Sequence, residues 1–285
     1  MKLVLKNSDS PLKERLDITK KEIPCLDSSW HYHAQYELLY ISQSHGIRFV
    51  GDSVSQFAPG ELVLVGPYLP HLWRNDPSFY KEEDTNKVKT IVLKFTKEFI
   101  GDGTFNLPEF HGVNDLLDQS KFGVFFGSEV SRKFHDDLIG IIDLPAAAQA
   151  IKLLDMLYQL SLTEDKTILS STDMRQYTTD NSQRIDTVIK YISNNYANPI
   201  SLEDVSEQAC MTTNSFCRFF KKMTNKSFTE FLNEVRIRNA SRLLAQEDTQ
   251  VSEICYSVGY NSVTNFNRQF KKITGITPKD YRSTI

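Results

Sequence analysis

Long apolar runs are absent. Nowhere among the 285 residues do roughly eighteen apolar residues follow one another, the least a membrane-crossing helix needs. The amino-terminal Met1-Lys-Leu-Val-Leu-Lys-Asn is likewise too poor in apolar residues for a secretory signal, so a soluble cytoplasmic protein with no membrane partner is expected. Cysteine is scarce: Cys25, Cys210, Cys217 and Cys255 form no C-x-x-C pair, which argues against a disulfide framework or a zinc ribbon and for reduced thiols packed as small apolar groups. Nor is there a strong overall charge. The net value of −3 nevertheless hides a split, with residues 183–285 carrying +4 and the rest −7. A basic segment supplies the salt-dependent part of nucleic-acid affinity, although +4 alone also fits ordinary scatter. No separate nucleophile or acid–base pair stands out, so no residue is assigned a catalytic role.

What the sequence does have is a repeat. Shifted by fifty residues, Phe216, Arg218, Phe220, Lys221, Lys222 and Thr224 land on Phe266, Arg268, Phe270, Lys271, Lys272 and Thr274. Each copy reads as a short acidic-started helix, a tight turn and a second helix ending Phe-Lys-Lys, the order of a helix-turn-helix.

The length has room for about two domains. From about residue 28 to 110, short runs such as Glu37-Leu-Leu-Tyr-Ile, Ile47-Arg-Phe-Val, Glu61-Leu-Val-Leu-Val and Thr90-Ile-Val-Leu-Lys-Phe alternate with Gly46, Gly51-Asp52, Pro59-Gly60 and Gly66-Pro67. That spacing suggests a β-sandwich or small barrel over residues 1–127. Over 128–162 the period turns helical: Val130, Phe134, Leu138 and Ile141 form one stripe, Pro145 interrupts, and Ala147, Ile151, Leu154, Leu157 and Tyr158 form another. Such a hairpin either covers the end of the barrel or leaves a stripe for a second subunit, giving a homodimer. Residues 163–182 are polar and aperiodic and read as a linker.

In 183–285 helices are expected at about 184–196, 201–208, 212–223, 227–246, 251–258 and 262–274, with a last one starting at Pro278. Ser201 with Asp204 makes a capping box, and Thr212 and Ser262 sit where a hydroxyl caps a helix whose N-terminus also suits a DNA phosphate. Phe216, Phe220 and Met223 fall on one helical face, and so do Phe266, Phe270 and Ile273. Outward face Thr213, Asn214, Cys217 and Arg218 in one helix, and Val263, Thr264, Asn267 and Arg268 in the other, residue types suited to reading bases in the major groove. Lys221, Lys222, Lys271 and Lys272 are placed for phosphates. The helix between the copies is about 30 Å long, close to the roughly 34 Å turn of B-DNA. A site of about two helical turns on double-stranded DNA follows.

Gly259-Tyr-Asn-Ser through Phe266-Asn-Arg-Gln-Phe-Lys-Lys-Ile-Thr-Gly-Ile-Thr-Pro-Lys-Asp-Tyr-Arg282 resembles the signature of the AraC/XylS transcription regulators. The resemblance covers about residues 184–285 and implies a bacterial regulator whose all-α DNA-binding domain holds two helix-turn-helix units. It also makes activation, with RNA polymerase as a partner, more expected than repression. The first unit departs from the pattern, since Ala209-Cys210 stands where the family has a turn glycine; a positive φ there would strain Cys210.

His31-Tyr-His33-Ala-Gln-Tyr-Glu37, followed by Gly60, Pro67, His71 and Asn75, resembles the motifs of cupin barrels, the usual effector domain of that family. His31, His33 and Glu37 have one parity and on an extended strand would share a face with Leu39 and Ile41. With His71 they form a set suited to a divalent metal, Zn, Mn, Fe or Ni. The metal-free alternative uses His31, His33, Glu37, Arg48, His71, Trp73 and Arg74 to bind a small-molecule effector, with no cofactor required. A third reading leaves the histidines purely structural. The overall expectation is a two-domain chain, an all-β cupin-like barrel with a helical hairpin and then an all-α domain. A transcription regulator rather than an enzyme is expected; the rival is a metal-dependent oxygenase or isomerase fused to a DNA-binding module.

Overall fold

A computed structural model describes residues 15–26, 29–80, 87–174, 181–246 and 249–284, and these fall into two compact units. The first contains strands β1 (Leu16–Ile23), β2 (Tyr36–Gln43), β3 (Gly46–Val50), β4 (Ser53–Phe57), β5 (Glu61–Val65), β6 (His71–Asn75), β7 (Val88–Phe95), β8 (Val124–Phe126) and β9 (Lys166–Ile168). Its helices are α1 (His111–Gln119), α2 (Ser128–Lys133), α3 (His135–Gly140) and α4 (Ala146–Leu162).

The strands do not close into a barrel. They form a six-stranded sheet in the order β1-β7-β2-β5-β8-β9 and a three-stranded sheet in the order β4-β3-β6. The reason is legible in the central strands. Leu38 and Tyr40 of β2 and Leu62 and Leu64 of β5 are as apolar as their alternates Leu39, Ile41, Val63 and Val65, so both faces of the large sheet must be covered. One face packs on the small sheet, where Leu39, Ile41, Val63, Val65 and Val92 meet Val50, Phe57 and Trp73. The other, with Leu38, Tyr40, Leu62, Leu64, Leu93 and Phe126, packs on the helices.

The expected hairpin over 128–162 is in fact three helices, and α1 lies within the stretch assigned to the barrel. Its first stripe holds, as Val130, Phe134, Leu138 and Ile141 are all buried against the sheet. The second is rotated: α4 buries Leu153, Met156, Leu157 and Leu160 and leaves Ile151 and Tyr158 exposed. Much of the expected linker also belongs to this unit. β9 pairs with β8, and the Asp52 carboxylate accepts hydrogen bonds from Ser170 Oγ (2.8 Å) and the Ser171 amide (2.8 Å). Met174 is then buried between the sheets. Residues 175–180 lie outside the described residues, and 181–182 open the next helix.

The second unit is all helical: α5 (Asn181–Asn195), α6 (Leu202–Gln208), α7 (Thr213–Thr224), α8 (Phe228–Gln246), α9 (Val251–Ser257), α10 (Val263–Thr274) and α11 (Pro278–Ser283). Local chemistry sets the boundaries. Ser201 and Asp204 cap α6 reciprocally, Thr212 and Ser262 accept from the Ser215 and Asn265 amides at the starts of α7 and α10, and Thr277 caps α11 ahead of Pro278. Asn225 and Gly275 end α7 and α10 in the left-handed conformation.

The repeat has two registers rather than one. α7 and α10 superpose at a shift of fifty, as their caps Thr212 and Ser262 show, but the caps of α6 and α9 are Ser201 and Gln250, a shift of forty-nine. The hydrogen bonds that close the two helices agree, Met211 N–H to Ser206 O in one and Tyr260 N–H to Cys255 O in the other. The second turn is therefore one residue longer.

Candidate functional site

In the first unit the histidines converge, though not along one strand. β2 starts only at Tyr36, and His31 instead bridges His71 across the backbone, with His31 N–H to His71 O at 3.2 Å and the reverse bond at 2.9 Å. The His31 and His71 ring centroids lie 4.4 Å apart, and those of His33 and His71 lie 5.1 Å apart. Each Nδ1 hydrogen-bonds a carbonyl two residues away: His31 to Ser29 O (2.9 Å), His33 to Gln35 O (2.8 Å) and His71 to Leu69 O (2.7 Å). An Nδ1–H so engaged leaves the lone pair on Nε2. His33 Nε2 is 3.0 Å from Glu37 Oε2, a contact that needs a proton, while the buried His71 Nε2 has no hydrogen-bond partner.

Burial pushes the His31 imidazole down to about 4 and lowers that of His71 well below its usual value, so both are neutral near pH 7. Burial alone would raise Glu37, but the His33 hydrogen bond and the neighbouring positive groups hold its carboxyl well below the usual range. One of those groups is Lys94, whose Nζ lies 3.2 Å from Glu37 Oε2.

Arg48 and Trp73 form a second cluster. They are partners across β3 and β6 and converge on Glu61, which accepts from Trp73 Nε1 at 3.0 Å and pairs with the Arg48 guanidinium. Arg48 also stacks 4.6 Å from the Phe125 ring centroid, and burial pushes the Glu61 carboxyl up. Trp73 meets His71 edge to face at 5.7 Å, which links the two clusters. Arg74 does not belong. It is next to Trp73 on a strand, so it points to the opposite face, where it lies over Tyr80. Sequence reasoning overlooked Lys94 and Glu61. The signal was a charged residue sharing parity with inward-facing Val92 and with Val63 and Val65.

In the second unit α7 buries Phe216, Phe219, Phe220 and Met223, and α10 buries Phe266 and Phe270. Asn214, Cys217, Arg218, Lys221 and Lys222 are exposed along α7, as are Thr264, Asn267, Arg268, Lys271 and Lys272 along α10. Thr213 and Val263 are only half-buried starts of their helices, and Val263 leans on the core. Arg268 Nη2 donates to Asn265 Oδ1 at 2.9 Å, which orients the guanidinium on the exposed face. Cys210 takes φ +52° at the turn between α6 and α7, so the expected strain is real.

Residues 205–284 match the model of a helix-turn-helix domain family. The carboxy-terminal unit holds a helix-turn-helix domain. Over 101 residues, the chain is 31% identical to the uncharacterized HTH-type transcriptional regulator YdeC of Bacillus subtilis, a match that covers 35% of each protein. The chain thus spans about a third of that relative's length. It is 22% identical over 263 residues to the HTH-type transcriptional activator RhaS of Salmonella arizonae, covering 88% of this chain and 86% of that protein. Among solved structures, the C-terminal domain of AraT, a response regulator from Geobacillus stearothermophilus, is 28% identical with a TM-score of 0.36, covering 38% of this chain and 89% of that one.

Proposed function

We propose that this chain is a sequence-specific, double-stranded-DNA-binding transcription regulator, an activator rather than a repressor, whose first unit senses a small-molecule effector. The observation that carries the reading is the matched pair α7 and α10. Each buries phenylalanines on one face and offers Arg and Lys on the other, Arg218 with Lys221 and Lys222, and Arg268 with Lys271 and Lys272. Asn214, Cys217, Arg218, Thr264, Asn267 and Arg268 read bases, with Thr213 and Val263 at the margin; the lysines and the Thr212 and Ser262 helix starts meet phosphates. At 1.5 Å per residue the 19-residue α8 spans about 28 Å, which suits two readers in successive major grooves.

Activation, and with it RNA polymerase as a partner, is supported by the name of the Salmonella relative, which the chain matches over most of its length. Homodimerisation is supported by α4, where Ile151, Tyr158 and Leu162 lie along one exposed face. The effector site is assigned to His31, His33, Glu37 and His71 with Arg48 and Trp73 beside them.

Mapping genomic binding sites in vivo, then titrating the full chain onto a recovered segment and onto its shuffled sequence, tests this. Specific binding should exceed non-specific by at least about a thousandfold at physiological salt. Equal affinity for both would contradict it.

A further inference from the structure

We propose that Glu230 is a built-in counter-charge that limits the affinity of the second unit for the DNA backbone, whatever the sequence; this rests on the reading of α7 and α10 as DNA readers. Glu230 first has a local task. It is the third residue of α8, where Ser227 N–H (2.9 Å) and Ser227 Oγ–H (2.7 Å) both donate to its Oε2 and its own N–H donates to Ser227 Oγ (3.3 Å). That is a capping box, which accepts either Glu or Gln at this place. The fifty-residue shift carries Ser227 and Glu230 onto Thr277 and Asp280, which cap α11. An amide would serve the α8 cap as well as a carboxylate, so capping does not by itself call for a charge.

The charge lies among the lysines assigned to phosphates. Glu230 and Lys272 line one cleft, in which the start of α8 meets the last turns of α10. The Ser227 hydrogen bonds hold the exposed Glu230 carboxyl below its usual range, and the positive charges of Lys272 and Lys221 add to that. Lys221 and Lys272 belong to the last turns of α7 and α10. One carboxylate is thus within electrostatic reach of a lysine from each reader. In the free chain it offsets their charge. On DNA it stands near the phosphates that those lysines meet, and like charges repel. Such a repulsion belongs to the backbone part of binding, which every sequence shares. It shortens stays on non-specific DNA and leaves discrimination between sequences as it was.

The test is fluorescence anisotropy of the full chain on a segment recovered by genomic mapping and on its shuffled sequence, across a salt series. Glu230→Gln keeps the cap, so its urea midpoint should match that of the wild type. It should bind both duplexes about three- to tenfold tighter at low salt, with a salt slope steeper by up to about one and the ratio of the two affinities unmoved. Glu230→Asp keeps the charge and should bind as the wild type does. Glu109→Gln makes the same change of net charge at an exposed position of the first unit and should alter neither affinity. Where the wild type binds DNA, a Glu230→Gln variant with unchanged affinity, an equal gain in Glu109→Gln, or a gain confined to one duplex overturns the counter-charge and leaves the DNA reading standing. A wild-type chain that binds neither duplex overturns both.

Discussion

Cys210 occupies in the first helix pair the place that Gly259 occupies in the second. Both follow the last helical turn by the same two steps, both have a positive φ, +52° and +87°, and both precede a residue whose N–H closes back on the helix. The two positions are not equally tolerant. A Cβ at Gly259 would lie 2.6 Å from Tyr196 O, the carbonyl that also accepts from Arg236 Nε. Cys210 is exposed and carries its Cβ at only the local cost of the left-handed conformation. Cys210→Gly should stabilise the protein by roughly 0.5–1 kcal/mol, and Gly259→Ala should destabilise it by more than about 2 kcal/mol. Urea unfolding of the full chain checks both, and equal effects would contradict the assignment.

The segment before residue 175 makes a second contrast. Met174 is 1% exposed in the core between the sheets, so Met174→Ala should cost about 2–4 kcal/mol. A residue in a free linker would shift stability by no more than about 0.5 kcal/mol. The urea midpoint of the first transition decides between them.

On α10, Arg268→Ala should cost about 1–3 kcal/mol at a specific site and relax discrimination there, while Lys271→Ala should weaken binding evenly and lower the salt slope by about one. Fluorescence anisotropy across a salt series separates the two. If neither change alters specific or non-specific affinity, α10 is not a reader.

If α4 carries the proposed homodimer contact, its exposed residues decide self-association. Ile151→Asp and Leu162→Asp, at positions 64% and 65% exposed, should leave folding intact and shift the protein from dimer to monomer in sedimentation equilibrium. A sedimentation profile unchanged by both would place any dimer contact elsewhere.

The helical half was legible in the sequence because periodicity and caps act locally: the Phe, Arg and Lys pattern marks α7 and α10, and Ser201 with Asp204 marks α6. The one-residue difference between the two turns was hidden, because the strongest matches all lie in the second helix of each pair. In the first unit the apolar runs of β2, β3, β5 and β7 were clear. β9, read from Lys166-Thr-Ile, is a strand only because β8 presents an edge to it, and no local preference announces that. The histidines were legible by type and spacing. Their actual geometry depends on the His31–His71 bridge, a contact between residues forty apart, and Lys94 reaches Glu37 from a different strand. Arg74 was misplaced by one residue because strand alternation was not carried into β6.

On the proposed function, one chain carries two readers set about one turn of DNA apart. Methylation interference on an operator half-site recovered from genomic mapping measures this directly, with the full chain bound. Two clusters of major-groove contacts on one face of the duplex, centred about 10 base pairs apart, are expected for each chain. Arg218→Ala should erase one cluster and Arg268→Ala the other. A single cluster per chain, or the same cluster lost in both variants, would contradict it.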